Sequence, residues 1–304
     1  MIDDSGILEN SDMLQDNDIL EELFDGVYIV DRNLAIIFWN RSAEMITGFN
    51  RKEMLGRPFT NDILNPITYQ GDFFDKDKCL IARTLKDGIK RTENLFFQHK
   101  RVYRLPVSQH ITPLKNDTGE ISAAAVIFKD SSSRLLFMQR NTDLVNIDSV
   151  TEVANRSFID MTLHTKFNEL RSYGESFAIV LIDIDHYKNI KAIFGNTVAE
   201  MALKMVSRTL LKCSRNTDII GRWGEVELIA VIPNVNEYQL SVITNRFRML
   251  IEKTRVLVGT RVVPITISQG AAIAQSVDNE ATIIKRTDML LEDSRQMGGN
   301  TLSL

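Results

Sequence analysis

The stretch Phe177-Ala-Ile-Val-Leu-Ile-Asp-Ile184 makes the strongest demand that this sequence places on its fold. Its apolar run has no polar face, so a strand built from it is buried on both sides. Such a strand needs helices packed against it, and the surrounding sequence supplies them. Helical patterns cover Phe158–Arg171, Ala199–Lys212, Glu237–Lys253 and Thr282–Arg295. Strand patterns cover Asp218–Trp223, Leu228–Pro233 and Val262–Ile267, the last of these preceding Gly270. The first two are paired around a tight turn. Strands alternating with helices, with one internal hairpin, predict an α/β sandwich from Asp148 onward.

The first part of the chain is patterned differently. Residues 1–15 are polar and acidic without apolar period and read as a flexible leader. Helical spacing begins at Ile19–Phe24, and Asp25-Gly26 supplies a turn. Val27–Val30 and Ala35–Trp39 form a predicted hairpin across Asp31-Arg32-Asn33. Short helices follow over Ser42–Thr47 and from Arg51. Asn94–Phe97, Val107–Pro113 and Ile121–Phe128 are the remaining strands, the last two separated by the turn Lys115–Gly119. This predicts an antiparallel sheet with flanking helices, wrapped around a small pocket. Between the two domains, residues 131–147 carry Leu135, Met138, Thr142 and Val145 at spacings of three or four, one apolar helical stripe. That stripe either packs on its own domain or forms a short parallel coiled coil between two subunits.

Composition sets outer limits. A chain of 304 residues, 44% hydrophobic and 25% charged, is comfortable as two globular domains. A net charge of −4 gives no basic field for nucleic acid. No apolar run reaches the roughly 20 residues that span a bilayer, and no secretory signal opens the chain. Cys79 and Cys213 are too few and too distant for a disulfide framework or a zinc cluster. A reducing cytoplasm is the expected location.

The first domain resembles the PAS family. The resemblance rests on Phe24-Asp-Gly-Val-Tyr-Ile-Val-Asp31, Phe38-Trp-Asn-Arg-Ser-Ala-Glu44, Thr47-Gly48 and Gly56-Arg57-Pro58, with Asp130-Ser131-Ser132 at the family's closing signature. It covers residues 16–130 and implies a sensor domain. The second domain, residues 148–304, resembles the GGDEF family of diguanylate cyclases, which join two GTP molecules into cyclic di-GMP. Its blocks are Asp148-Ser-Val-Thr-Glu-Val-Ala-Asn-Arg156, Asp183-Ile-Asp-His-Tyr-Lys188, Arg222-Trp-Gly-Glu-Val-Glu-Leu228 and Ile265-Thr-Ile-Ser-Gln-Gly270. The resemblance implies an α/β sandwich like the nucleotidyl cyclase palm, and a linker that dimerises.

The family's chemistry is phosphoryl transfer assisted by divalent metal, so it depends on charge and position. The resemblance places one metal carboxylate at Asp183 and a second at Val226, whose side chain has no oxygen. Asp183 alone would hold a metal weakly. Gly224 keeps the first signature glycine, Glu225 replaces the second, and Glu227 follows Val226. A glutamate at 225 brings negative charge toward a polyanionic nucleotide. It is poorly placed to replace the missing carboxylate, because neighbouring strand residues face opposite ways. The family's guanine-reading Asn falls at Lys191 and its Asp partner at Glu200. The phosphate-contacting Lys falls at Arg295 and its Arg at Gly299, while Lys188 is retained. Metal, phosphate and base contacts are all altered, and the cyclase reaction is expected to be absent or very weak.

Arg215-Asn-Thr-Asp218 stands at the spacing of the family's inhibitory product site. A guanidinium grips phosphate or a guanine edge, and a carboxylate accepts from guanine nitrogens. The same four residues also suit a solvated turn. Three functions stay open: a cyclic di-GMP receptor through Arg215 and Asp218, an atypical active cyclase rescued by Glu225 and Glu227, and a ligand-free dimerisation or docking scaffold. A GTP sensor using Lys188 and Asp183 is a further variant. Mg²⁺ is expected only with bound nucleotide. His99 and His110 are candidate haem ligands of the first domain, but a lone strand histidine favours packing. Cys79 lacks the surroundings of flavin-binding light sensors. Neither haem nor flavin is assigned, His164 and His186 have no partner ligands, and Trp39 is expected in the core.

Overall fold

The computed structural model describes residues 19–59, 63–68, 79–131, 146–254, 256–259 and 261–304. The expected leader, and residues 132–145 of the expected linker helix, lie outside the described residues. The chain divides into two compact units, the first closing at Ser131.

The first unit is a six-stranded sheet in the order β2-β1-β6-β5-β4-β3. Its strands are β1 (Gly26–Asp31), β2 (Ile36–Trp39), β3 (Ile67–Thr68), β4 (Arg91–Gln98), β5 (Arg104–Lys115) and β6 (Ile121–Asp130). Helices α1 (Arg41–Thr47), α2 (Arg51–Met54) and α3 (Leu80–Asp87) lie between them in the chain. β1 pairs antiparallel with β2, as the hairpin pattern predicts, and also with β6. The strands run longer than expected, β4 starting at Arg91 rather than Asn94 and β5 ending at Lys115 rather than Pro113.

Asn40 is the hub that fixes the start of this unit. Its side-chain oxygen accepts the N–H groups of Val27 and Ala43, both at 2.8 Å, the second capping α1. Its amide nitrogen donates to the carbonyls of Leu20 and Asp25 at 2.9 and 3.1 Å. A fully buried amide is tolerated here because its donors and acceptor are used. Behind the sheet, rings occupy the interior. Tyr28 stacks on Phe59 with centroids 5.4 Å apart, and Phe97 meets Phe128 edge-on at 5.5 Å. Trp39 is fully buried, as expected, and donates to the Phe49 carbonyl.

In the second unit, a five-stranded sheet runs β13-β12-β7-β9-β8. It comprises β7 (Phe177–Ile184), β8 (Ile219–Arg222), β9 (Glu227–Pro233), β12 (Ile267–Ile273) and β13 (Leu302–Ser303), with a separate hairpin of β10 (Val256–Val258) and β11 (Arg261–Val263). The helices are α4 (Arg156–Tyr173), α5 (Tyr187–Phe194), α6 (Asn196–Cys213), α7 (Glu237–Glu252) and α8 (Glu280–Gln296). β7 is the central strand, paired antiparallel with β9 and β12, and its apolar run is buried as predicted.

Two readings needed correction. The pattern Val262–Ile267 is not one strand. Arg261–Val263 pairs back on Val256–Val258, and the sheet strand begins at Ile267. Pro264 has no N–H to give a ladder and separates the two. The short helix α5 was also not anticipated, because His186 enters it through a left-handed backbone, φ 54°, that no local motif announces.

Close approach explains two glycines. A Cβ on Gly270 would lie 2.3 Å from the Leu291 nitrogen and the Thr287 carbonyl oxygen, so α8 packs directly on β12. A Cβ on Gly221 would lie 2.3 Å from Ile159, which brings α4 onto β8.

Candidate functional site

The ends of β7 and β9 converge on a cleft of 460 Å³ lined by Asp183, His186, Tyr187, Lys188, Lys191, Glu225 and Val226. The buried run of β7 delivers Asp183 to its rim, and the turn between β8 and β9 delivers Glu225 and Val226. The turn is tight: the N–H groups of Trp223 and Gly224 both donate to the Glu227 carbonyl, at 2.8 and 3.1 Å. Arg222 folds over it, donating to the carbonyls of Gly224 and Glu225 at 3.2 and 2.7 Å.

Glu225 is exposed, whereas Val226 and Glu227 are half-buried. Glu227 is the direct cross-strand partner of Asp183. Arg295, in the last turn of α8, joins them. Its Nε lies 2.9 Å from Asp183 Oδ2 and its Nη2 lies 3.0 Å from Glu227 Oε1. Burial pushes the Asp183 carboxyl up, and the charges of Glu227 and Asp185 push it further, while Arg295 pulls it down; the net shift is upward.

The other cations of the cleft are more open. Lys188 and Lys191 are exposed near the start of α5, and Glu200 is exposed in α6. Tyr187 is half-buried between them. Burial raises its phenol most, and the negative charges of Glu200 and Glu225 add to the rise. Glu200 and Glu225 thus act on one side chain, although Glu225 lines the cleft and Glu200 does not.

Asp185, two residues beyond Asp183, does not line the cleft. It accepts the hydroxyls of Thr266 and Ser268 at 2.7 and 2.6 Å and the Asn300 N–H at 2.7 Å. Its carboxyl carbon would be 2.9 Å from a Cβ on Gly299, whose φ is 81°. That contact gives a physical reason why position 299 carries no side chain.

The residues Arg215 and Asp218 lie at the end of α6, apart from the cleft. Arg215 is exposed, whereas Asp218 is fully buried and accepts the backbone N–H of Arg215 at 2.7 Å. The pair is therefore one of turn and cap, with only the arginine side chain facing solvent.

A divalent metal fits this cleft poorly. Val226 supplies no side-chain oxygen, Asp183 Oδ2 and Glu227 Oε1 serve Arg295, and among the described residues no group of three or more His, Cys, Asp and Glu could hold an ion. In the first unit, His110 is exposed with Nδ1 3.0 Å from Thr92 Oγ1, and His99 is buried with Nδ1 accepting the Arg101 N–H. Cys79 is buried at the start of α3, and His164 lies 3.2 Å from Glu280.

Sequence reading gave Arg295 a different partner and assigned no role to two other residues that shape the site. Arg295 was expected to meet phosphate, not two carboxylates. Asp185 and Tyr187 lie inside a quoted motif, but their roles depend on β12 and α6, which are distant in sequence. The acid pair Asp183–Glu227 could have been found by aligning the two strand ends.

Comparison with known proteins follows this division. Residues 145–301 match the family described as diguanylate cyclase, GGDEF domain, and residues 25–133 match the PAS domain. Diguanylate cyclase A of Treponema denticola is 25% identical over 194 residues, covering 62% of this chain and 50% of that protein. The probable diguanylate cyclase DgcE of Escherichia coli K12 is 22% identical over 280 residues, covering 92% of this chain and 25% of that protein. The chain thus spans half the length of the first relative and a quarter of the second. Among solved structures, the GGDEF domain of DgcB from Caulobacter crescentus, in complex with c-di-GMP, superimposes with a TM-score of 0.51 at 20% identity, covering 54% of this chain and 96% of that one. That likeness establishes the fold.

Proposed function

Since this chain belongs to the diguanylate cyclase GGDEF family and carries a PAS domain ahead of its GGDEF domain, we propose that it is a signalling regulator whose GGDEF domain does not make cyclic di-GMP. The observation that carries this reading is Val226 on the wall of the cleft beside Asp183. An isopropyl group there can neither coordinate a cation nor accept a proton, and the reaction relies on metal charge to offset the triphosphate. Glu225 supports the reading from the opposite direction, by adding negative charge where a polyanion would lie. Glu227 does not replace the missing ligand, because its carboxylate faces Arg295.

Incubation of the purified chain with GTP and Mg²⁺ or Mn²⁺, followed by chromatography of the nucleotides, tests the proposal. Cyclic di-GMP should stay at the level of a protein-free control. Repeated turnover would overturn the reading.

A receptor role has one observation in its favour. Arg215 stands exposed at the position of the family's inhibitory site, on a turn held by the buried Asp218. In this reading Arg215 grips a phosphate of cyclic di-GMP and Asp218 positions it. Calorimetric titration should show heat of binding that Arg215→Ala removes; no heat from the wild type at tens of micromolar ends the receptor reading. The proposal also includes a homodimer through the PAS domain and residues 131–147, which sedimentation tests. Among the described residues no helix is long and apolar enough to cross a membrane.

A further inference from the structure

Asp183 and Glu227 sit directly opposite each other in the β7–β9 ladder. Side chains so placed share a face with Cβ atoms about 4.5–5.5 Å apart, and like charges in that arrangement repel. The repulsion is unscreened on one side, since the Asp183 side chain is only 17% exposed. Arg295 removes it. Its guanidinium makes a 2.9 Å contact with one carboxylate and a 3.0 Å contact with the other, and Glu292 adds a third at 3.5 Å. α8 is held against β12 by the backbone contact at Gly270, so Arg295 projects from a fixed base.

We infer that the Arg295 guanidinium is a built-in counter-ion that keeps divalent cations out of the Asp183 site. A guanidinium does not lose its proton in proteins, so this counter-ion is permanent. Its planar fork satisfies both carboxylates at once, which a lysine at the same position would do less well. Mg²⁺ and ions like it need oxygen ligands at about 2.0–2.1 Å in a near-octahedral shell. To obtain Asp183 Oδ2 or Glu227 Oε1 the ion would have to displace Arg295, and at the second oxygen of either carboxylate it would lie beside the guanidinium's positive charge. Val226 offers nothing in exchange.

The inference concerns the same cleft as the reading of a silent cyclase and rests on it, yet the two can fail separately. If Val226 alone were responsible for weak metal binding, Val226→Asp would restore it. Under the arginine account, Val226→Asp takes up metal only once Arg295 is also replaced.

The test uses the full chain and Mn²⁺ alone, followed by the loss of its free-ion electron paramagnetic resonance signal and by thermal melting. The wild type and Val226→Asp should leave the signal unchanged and their melting temperatures unmoved by Mn²⁺. Arg295→Gln should bind Mn²⁺ tighter by about tenfold or more, the direction expected when a unit charge beside a cation site is removed. Adding Asp183→Asn should abolish that gain. Arg295→Ala provides a second variant if Arg295→Gln is poorly folded by circular dichroism. The inference is overturned if the wild type binds Mn²⁺ as tightly as the arginine variants. It is equally overturned if Val226→Asp alone gains the ion, or if a folded arginine variant gains none. GTP turnover by the wild-type chain is assayed apart from these and bears only on the silent reading.

Discussion

Arg222 places its Nη1 3.1 Å from both carboxylate oxygens of Asp148, linking the opening block of the GGDEF unit to its signature hairpin. The same carboxylate accepts the N–H and hydroxyl of Thr151 at 2.8 and 2.7 Å. The same guanidinium holds the turn carbonyls of Gly224 and Glu225. Two residues of the family's blocks therefore build the scaffold of the cleft, and neither lines its wall. This separates the persistence of the fold from the persistence of the reaction.

Asp148→Asn should lower the stability of the second unit at pH 7 by about 1–3 kcal/mol, the range for losing hydrogen bonds to a charged group. Burial acts to raise the Asp148 carboxyl, but the hydrogen bonds from Thr151 and Arg222 outweigh it and hold it below its ordinary 3.8. A depressed carboxylate contributes stability above its unfolded value and loses it as pH falls through the folded value. The gap between wild type and variant, measured by denaturant melts, should be full at pH 7 and shrink below pH 3.8. A gap independent of pH would contradict this.

Gly299→Ala should destabilise more than Gly298→Ala. Both glycines have positive φ, 81° and 104°, so each substitution incurs the left-handed backbone cost of about 1–2 kcal/mol. Only at 299 does the new Cβ also strike Asp185, whereas at 298 nothing lies within 4 Å. Equal thermal shifts for the two variants would remove the close approach as a reason for the missing side chain.

In the PAS unit, Tyr28 donates its hydroxyl to Gln109 Oε1 at 3.0 Å, and Gln109 Nε2 donates to Glu93 at 3.0 Å. Burial raises the Glu93 carboxyl above its ordinary 4.5. A raised carboxyl contributes stability below its unfolded value and loses it as pH rises through the folded one. Glu93→Gln keeps an acceptor for Gln109 and removes the buried charge. It should therefore melt higher than the wild type at pH 7, with the advantage fading as pH falls toward 4.5. A variant that melts lower at pH 7 would show that the charge is favourable where it stands.

Asp218→Ala should cost about 1–3 kcal/mol without any ligand, because it leaves the Arg215 N–H and a buried turn without their carboxylate. Arg215→Ala should stay within about 0.5 kcal/mol, as an exposed substitution does. Equal effects on stability would mean that Asp218 does not hold the turn.

The sandwich was readable because β7 has no polar face and the strands around it lie between amphipathic helices. The PAS sheet was readable because Val27–Val30 and Ile121–Phe128 alternate or cluster their apolar residues in strand-length runs. Pro264 and His186 resisted the same reading, since one interrupts an apolar run and the other enters a helix through unusual backbone. The departures from the family's residues at Val226 and Lys191 follow from identity alone. The partner of Arg295 does not, because it depends on the register that sets Asp183 against Glu227, and on α8 packing over β12. Burial of Asp218 was hidden for the same reason: a four-residue motif says nothing about which side of its turn faces water.

The most direct measurement of the central claim is a reaction with protein in excess over GTP, in Mn²⁺, analysed by mass spectrometry after prolonged incubation. With Val226 on the wall of the cleft beside Asp183, GTP should be recovered without cyclic di-GMP. Stoichiometric conversion to cyclic di-GMP by the wild-type chain, lost in Asp183→Asn, would contradict the account.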